Sequence, residues 1–364
     1  ATLGAFALTT GMASAGGIDR SGQGIGVLFE KGRYLELSFG QVNPSVSGND
    51  VALFGGGASG SVADGYSQVS LAYKMDINEK LSTAIILDQP FGADIEYAPT
   101  SVALGGTTAV ADLSAITGLL RYKINDGFSV HGGLRAQRAS ANVFLSGAAY
   151  GGVSGYNVAL DDDIGYGYVL GVAYEKPEIA LRVALTYNSA IEHNFDTVET
   201  LGDDVIGVTP TTVELPQTVN LDFQTGVAAN TLVFGQIRWA DWSNFRLDPA
   251  TFTALTGSGL IDLEDTITYT LGVGRKFTDN WSGALSVSYE KKDDPLVSPL
   301  APTNGRLGLT LAAVYTRDNM KITTGINYTK LGDAQPETGT PDVARADFSG
   351  NSVLGIGVKV GFTF

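Results

Sequence analysis

The stretch that decides the fold is Ser352-Val353-Leu354-Gly355-Ile356-Gly357-Val358-Lys359-Val360-Gly361-Phe362-Thr363-Phe364. In an extended chain, side chains alternate between two faces. Leu354, Ile356, Val358, Val360, Phe362 and Phe364 share one face, and Gly355, Gly357, Lys359, Gly361 and Thr363 share the other. The pattern is that of a strand with one greasy and one wet side. An edge strand of a soluble sandwich would carry it too, but would leave an apolar edge open to aggregation. The stretch is better accommodated if it closes a barrel against the first strand and turns its greasy face to lipid.

Other runs alternate in the same way. Leu307, Leu309, Leu311, Ala313 and Tyr315 oppose Arg306, Gly308, Thr310 and Ala312. Ile267, Tyr269, Leu271 and Val273 oppose Thr266, Thr268, Thr270 and Gly272. Strands are expected near 33–42, 65–75, 80–89, 112–124, 127–144, 163–175, 179–193, 213–229, 231–245, 264–277, 281–293, 305–317, 320–332 and 349–364. That makes about fourteen, an even number, as in single-chain bacterial barrels. Every second connection is a tight Asn/Asp/Gly/Pro turn, such as Asn125-Asp126-Gly127, Ala229-Asn230 and Asp318-Asn319. The connections between are long. Short turns on one rim and long loops on the other are expected of an all-β transmembrane antiparallel barrel in a bacterial outer membrane, both ends of the chain lying on the periplasmic, short-turn side.

Composition narrows the function. The chain has 364 residues and no Cys, which removes disulfides, thiolate metal sites and a Cys nucleophile. Its two histidines, His131 and His193, are too few for a His-based metal centre or an assignable Ser-His-Asp triad. A net charge of −15 argues against nucleic acid. No run approaches the ~18 consecutive apolar residues of a membrane helix. Acidic clusters at 161–163, 203–204 and 293–294 fall in or beside expected loops. Solvated charge is their simpler reading, with cation binding the alternative. No enzyme and no cofactor is expected.

The first residues differ. Ala1 to Met12 is small and apolar, and Ala13-Ser14-Ala15 has the form of a leader cleavage site, so 1–15 reads as the back half of a signal peptide; a plugging helix is the rival reading. Residues 16–32 are Gly-rich, with an apolar island Val27-Leu28-Phe29 and no clean period. They are expected to tuck into the lumen as a short hatch, with 33–364 forming the barrel. A barrel this wide is not filled by its own side chains, so it holds water, a plug or a ligand. Arg121, Arg135, Arg182, Asp222, Gln224, Gln236 and Glu290 are expected to face inward. In 246–263, Asp248 and Pro249 are expected to start a short helix carrying Phe252 and Leu255 on one face.

Several segments resemble one family in order and spacing. Gln89-Pro90-Phe91-Gly92-Ala93-Asp94-Ile95-Glu96-Tyr97 resembles the P-F-G…Y signature after the third strand of the FadL/TodX outer-membrane transporters. Leu215-Pro216-Gln217-Thr218-Val219 and Trp239-Ala240-Asp241-Trp242-Ser243 resemble their P-x-x-V strand and W-x-x-W-S segment. Pro299-Leu300-Ala301-Pro302-Thr303-Asn304-Gly305-Arg306 resembles the P-x-x-P-x-x-x-R that opens their twelfth strand. The resemblance implies a fourteen-stranded monomer with an N-terminal hatch, passively taking up long-chain fatty acids or other hydrophobic compounds. Substrate would be captured among extracellular loops, pass to a luminal pocket and leave sideways through a kink in the third strand. It implies Pro90, Phe91 and Gly92 as the gate region, and Val27, Leu28 and Phe29 as pocket or hatch contacts. Outer-membrane lipid, lipopolysaccharide and the barrel-assembly machinery, through the strand ending in Phe364, are the further partners implied. The hatch departs from the family pattern: it is short, and Asn43-Pro44-Ser45 follows the first strand where an N-P-A element would lie in the hatch. A general diffusion porin and a closed structural barrel are the competing readings.

Overall fold

The computed structural model describes residues 18–364; the expected leader, 1–15, lies outside the described residues. Fourteen antiparallel strands close into a barrel. They are β1 (Tyr34–Ser45), β2 (Tyr66–Asp76), β3 (Leu81–Asp88), β4 (Thr108–Lys123), β5 (Phe128–Leu145), β6 (Tyr156–Lys176), β7 (Leu181–Asn188), β8 (Thr218–Ala228), β9 (Thr231–Ala240), β10 (Thr266–Lys276), β11 (Trp281–Glu290), β12 (Asn304–Arg317), β13 (Met320–Gly332) and β14 (Ser352–Thr363). β14 pairs with β13 on one side and with β1 on the other, from Tyr34↔Thr363 to Ser45↔Ser352, so the last strand closes the barrel.

The greasy faces point outward. Leu354 and Ile356 are 39% and 53% exposed, whereas Gly355, Gly357 and Lys359 are buried. Outward aromatics form two rows. Tyr73, Tyr122, Phe128, Tyr174, Trp281 and Tyr315 lie toward the short turns; Tyr168, Tyr187, Trp239, Tyr269, Tyr289 and Tyr328 lie toward the long loops. Trp281 and Tyr289 share β11 and stand about 27 Å apart along it, roughly 20 Å along the axis of a barrel tilted ~40°, which matches an apolar membrane band. The tight turns use the backbone their residues tolerate: Asn230 and Asp318 sit at φ 59° and 52° in two-residue links. Among the described residues no helix is long and apolar enough to cross a membrane.

The largest buried apolar cluster lies at the long-loop end, where loop residues such as Tyr97, Leu104, Trp242, Phe252, Leu300 and Phe348 pack across the mouth. The family-like motifs meet there. Phe91 packs edge-on against Trp242 with ring centroids 5.3 Å apart. The Tyr97 hydroxyl donates to Pro299 O at 2.9 Å, and Gln217 Nε2 donates to Asp241 Oδ2 at 2.7 Å.

Three expectations need correction. β6 begins at Tyr156, so Asp161-Asp162-Asp163 lie in a strand, where Asp162 pairs with Arg138 and Asp163 accepts from His193 Nδ1 at 3.0 Å. The regions expected as 179–193 and 213–229 each split into a barrel strand and part of a separate hairpin, Ile191–Phe195 with Thr211–Leu215. The helix α1 spans Ala250–Thr256, and Asp248 does not cap it. Its first amides, Thr251 and Phe252 N–H, donate instead to the Glu199 carboxylate at 2.9 and 2.7 Å, a remote anion at a helix start. Phe252 is buried against Tyr156, while Leu255 is exposed.

Candidate functional site

The expected inward residues do face the lumen, mostly bonded to one another. Arg121 pairs with Glu175, Glu290 with Arg306 at 2.9 Å, and Glu36 with Lys359 at 3.5 Å. Arg135 Nε donates to Thr117 Oγ1, Gln236 Nε2 to Asp222 Oδ1, and Arg182 Nη2 to Gln224 Oε1. Charges taken out of bulk water inside a barrel require such partners.

Through this lumen runs the segment before β1. Ile18–Arg20 lies along the end of the third strand: Arg20 N–H donates to Pro90 O and Gly92 N–H to Ile18 O, both at 2.8 Å. Ser21 Oγ donates to Asp88 Oδ2 at 2.6 Å. The far wall holds the same segment. Arg238 Nε donates to Asp19 Oδ2 at 2.7 Å, Asn220 Nδ2 to Gly22 O at 3.0 Å, and Thr218 Oγ1 to Gln23 Oε1 at 2.7 Å. The segment therefore bridges β3 to β8 and β9 across the barrel.

It then descends to the short-turn rim through a turn of 3-10 helix, Gly26–Phe29. Val27 and Leu28 bury against small or aliphatic inward residues, Ala72, Ala84, Ile86, Leu119 and Val169. Phe29 does something else: its ring sits between the guanidinium groups of Arg121 and Arg182, at 4.5 and 4.6 Å. So Val27 and Leu28 pack together on an apolar patch, and Phe29 lies between two cations.

The third strand is broken where Pro90 falls. Leu81–Asp88 pairs with Ala115–Tyr122 of β4, and Gly92–Glu96 pairs with Thr108–Asp112. Residues 89–91 thus oppose only 113–114, one residue fewer, and Pro90 has no N–H to offer a ladder. Pairing of β3 with β2 stops at Leu71↔Leu87. Above it, Val69 N–H finds only the side-chain Oε1 of Gln89, at 3.1 Å. Contact resumes higher, where Asp64 N–H donates to Asp94 O and Glu96 N–H to Val62 O. Tyr66–Ser70 consequently edges a bounded window in the wall. The side chain of Arg20 lies across it, its guanidinium 4.1 Å above the Tyr66 ring. On the other edge Gly92 makes room: a Cβ there would lie 2.5 Å from Arg20 Cζ.

Two cavities flank the segment. The lower holds about 1570 Å³ of empty space including its open mouth, and touches Ser21, Gly22, Val27, Ile86, Asp88 and Gln89. The upper, about 530 Å³, touches Ile18, Arg20, Tyr66, Gly92, Ile95 and Leu300. Pro90, Phe91 and Gly92 therefore lie beside the partition, whereas Val27, Leu28 and Phe29 lie at its other end. Sequence reading missed Asp19, Arg20, Gln23 and Tyr66. The one signal was Arg238, a charge interrupting large apolar residues in β9. Among the described residues no cluster of His, Asp or Glu is arranged to hold a metal ion.

Comparison with known proteins agrees with this architecture. No curated protein sequence matches the chain. Solved structures resemble it closely in shape at low identity. A Pseudomonas aeruginosa FadL homologue superposes with a TM-score of 0.71 at 15% identity, over 93% of this chain and 91% of its own. The Pseudomonas putida toluene transporter TodX gives 0.65 at 15% identity, over 92% and 91%. The Ralstonia pickettii toluene transporter TbuX gives 0.64 at 13%, over 93% and 90%. At these identities the likeness speaks for the fold. The family described as outer membrane protein transport protein (OMPP1/FadL/TodX) matches residues 31–364, and the chain belongs to that family.

Proposed function

We propose that the protein is a passive outer-membrane channel for hydrophobic compounds, with the long loops outside the cell, residues 18–32 as its hatch, and release sideways through the wall. The observation that carries this reading is the window between Tyr66–Ser70 and the broken third strand, which lies beside the luminal cavities and within the apolar band. Val69 stands four residues above the lower aromatic row at Tyr73, so a solute leaving here meets lipid tails. Toward the short turns the Phe29 ring lies between two arginines, which supports a closed exit on that side. Lipopolysaccharide excludes greasy solutes, and a route that ends in hydrocarbon never returns them to water. Hydrocarbons such as toluene, for which structural neighbours are named, and the fatty acids that the sequence resemblance implies are the substrates to try first.

A second reading, a diffusion porin for small hydrophilic solutes, draws support from the many polar groups along the lower cavity. Uptake of labelled oleate and of a small sugar by cells lacking their own hydrophobic channel separates the two. Oleate uptake without sugar uptake is the expected result; sugar uptake without oleate uptake would overturn the proposal.

A further inference from the structure

The lower cavity has two unlike walls. On the side of β2, β3 and the hatch, Ala72, Ile86 and Val27 form a hydrocarbon patch toward the short-turn end, with polar Gln68, Ser70, Asp88 and Gln89 above it. On the side of β10 to β13, the inward positions carry hydroxyls: Thr270 opposite Ser288 and Ser286 opposite Thr310, with Thr323 on β13. Thr270, Ser286 and Thr323 are each more than nine-tenths buried, so what their hydroxyls reach is the cavity. Among the described residues, those three and Ser288 have no protein partner for the hydroxyl, in contrast to neighbouring Thr268, which donates to Glu290 Oε2 at 2.7 Å and accepts from Arg306 Nη2 at 3.0 Å. The arginines and the lysine that line the cavity are already matched: Arg238 by Asp19, Arg306 by Glu290 and Lys359 by Glu36.

From this pairing of walls we infer that the lower cavity takes neutral oxygen-bearing hydrophobes, such as long-chain alcohols, ketones or esters, in preference to bare hydrocarbons or carboxylate anions. The inference rests on the reading of the barrel as a hydrophobic-compound channel. A hydroxyl both donates and accepts, so Ser and Thr can meet an alcohol, a carbonyl or an ester oxygen alike. A bare hydrocarbon displacing water here would leave several hydroxyls unpaired, and sites built to bond an oxygen discriminate strongly against ligands lacking it. A carboxylate would have to break an existing ion pair or sit beside its acid. The two sides also orient the ligand: oxygen toward β10 to β13, hydrocarbon toward the patch of Ala72, Ile86 and Val27.

The test compares labelled hexadecane, 1-hexadecanol and palmitate, equal in chain length, as initial uptake rates in cells lacking their own hydrophobic channel. Hexadecanol is expected to be taken up at least about tenfold faster than either of the others, the scale of one well-made hydrogen bond. The triple variant Thr270→Val, Ser286→Ala, Ser288→Ala should erase that preference while hexadecane uptake holds or rises; Ser288→Ala alone, a milder change, should reduce it severalfold. Barrel assembly is checked by heat-modifiable migration on gels. Equal rates for all three compounds, or palmitate leading, would overturn the inference and leave the channel standing. A preference that survives in assembled variants would also overturn it. If none of the three exceeds the rate in cells without the protein, the channel reading falls and the inference with it.

Discussion

Arg20 gives the sharpest test of the window. Its guanidinium lies 4.1 Å over the Tyr66 ring, the residue is 7% exposed, and its backbone is tied to Pro90 O. A desolvated cation–π contact is worth about 2 kcal/mol. If that contact holds the window shut, Arg20→Ala shifts the open-to-shut ratio by about 30-fold, since each 1.4 kcal/mol is a factor of ten. Gly92→Ala approaches the same state differently: the added Cβ, 2.5 Å from Arg20 Cζ, forces the guanidinium aside without removing its charge. Tyr66→Leu removes the ring alone. Initial oleate uptake at a limiting concentration should rise in all three variants, up to about 30-fold unless another step takes over. Arg20→Lys, a compact ammonium that stacks poorly, should fall between. Normal uptake in both Arg20→Ala and Gly92→Ala, with the barrel assembled to normal levels, would refute the idea that this side chain bars the route.

Other outcomes follow from the same geometry. Phe29→Ala should raise the conductance for small ions in planar bilayers, because it removes two cation–π contacts of ~0.5–2 kcal/mol each and opens the neck between Arg121 and Arg182; an unchanged conductance would mean that the neck is sealed elsewhere. Glu199→Gln should weaken the start of α1 by about 1–2 kcal/mol, since the carboxylate accepts from Thr251 and Phe252 N–H and from the Tyr156 hydroxyl; faster hydrogen exchange across 248–260 would report it. In the loop after β13, burial and neighbouring Asp342 push the Glu337 carboxyl up to about 7. The folded loop then keeps a proton that the open chain, with an ordinary value of 4.5, has lost, so local stability falls as pH rises from about 4.5 to about 7. Exchange across 333–351, corrected for its intrinsic pH dependence, should be faster at pH 8 than at pH 5 in the native protein and flat in Glu337→Gln.

Much of this molecule was readable from local pattern. Which side of each strand meets lipid depends on a two-residue period, and Leu354–Ile356–Val358 against Gly355–Gly357–Lys359 states it without any knowledge of neighbours. The turns at Asn230 and Asp318 follow from residues that accept a positive φ; the break in the third strand was pointed to by the family resemblance, and a proline that cannot donate is its physical cause. Those features give the strand number and which side of each strand faces out. What only the tertiary structure decided lies across the lumen. Asp19 meets Arg238, 219 residues later, Arg20 meets Tyr66 and Gly92, and Glu199 replaces Asp248 at the start of α1. No local period encodes these contacts, because the residues become neighbours only once the barrel has closed and the N-terminal segment has been drawn through it. The same holds for the hydroxyls of β10 to β13: alternation predicts that they face inward, but closure alone decides that they share a cavity with the apolar patch of Ala72, Ile86 and Val27.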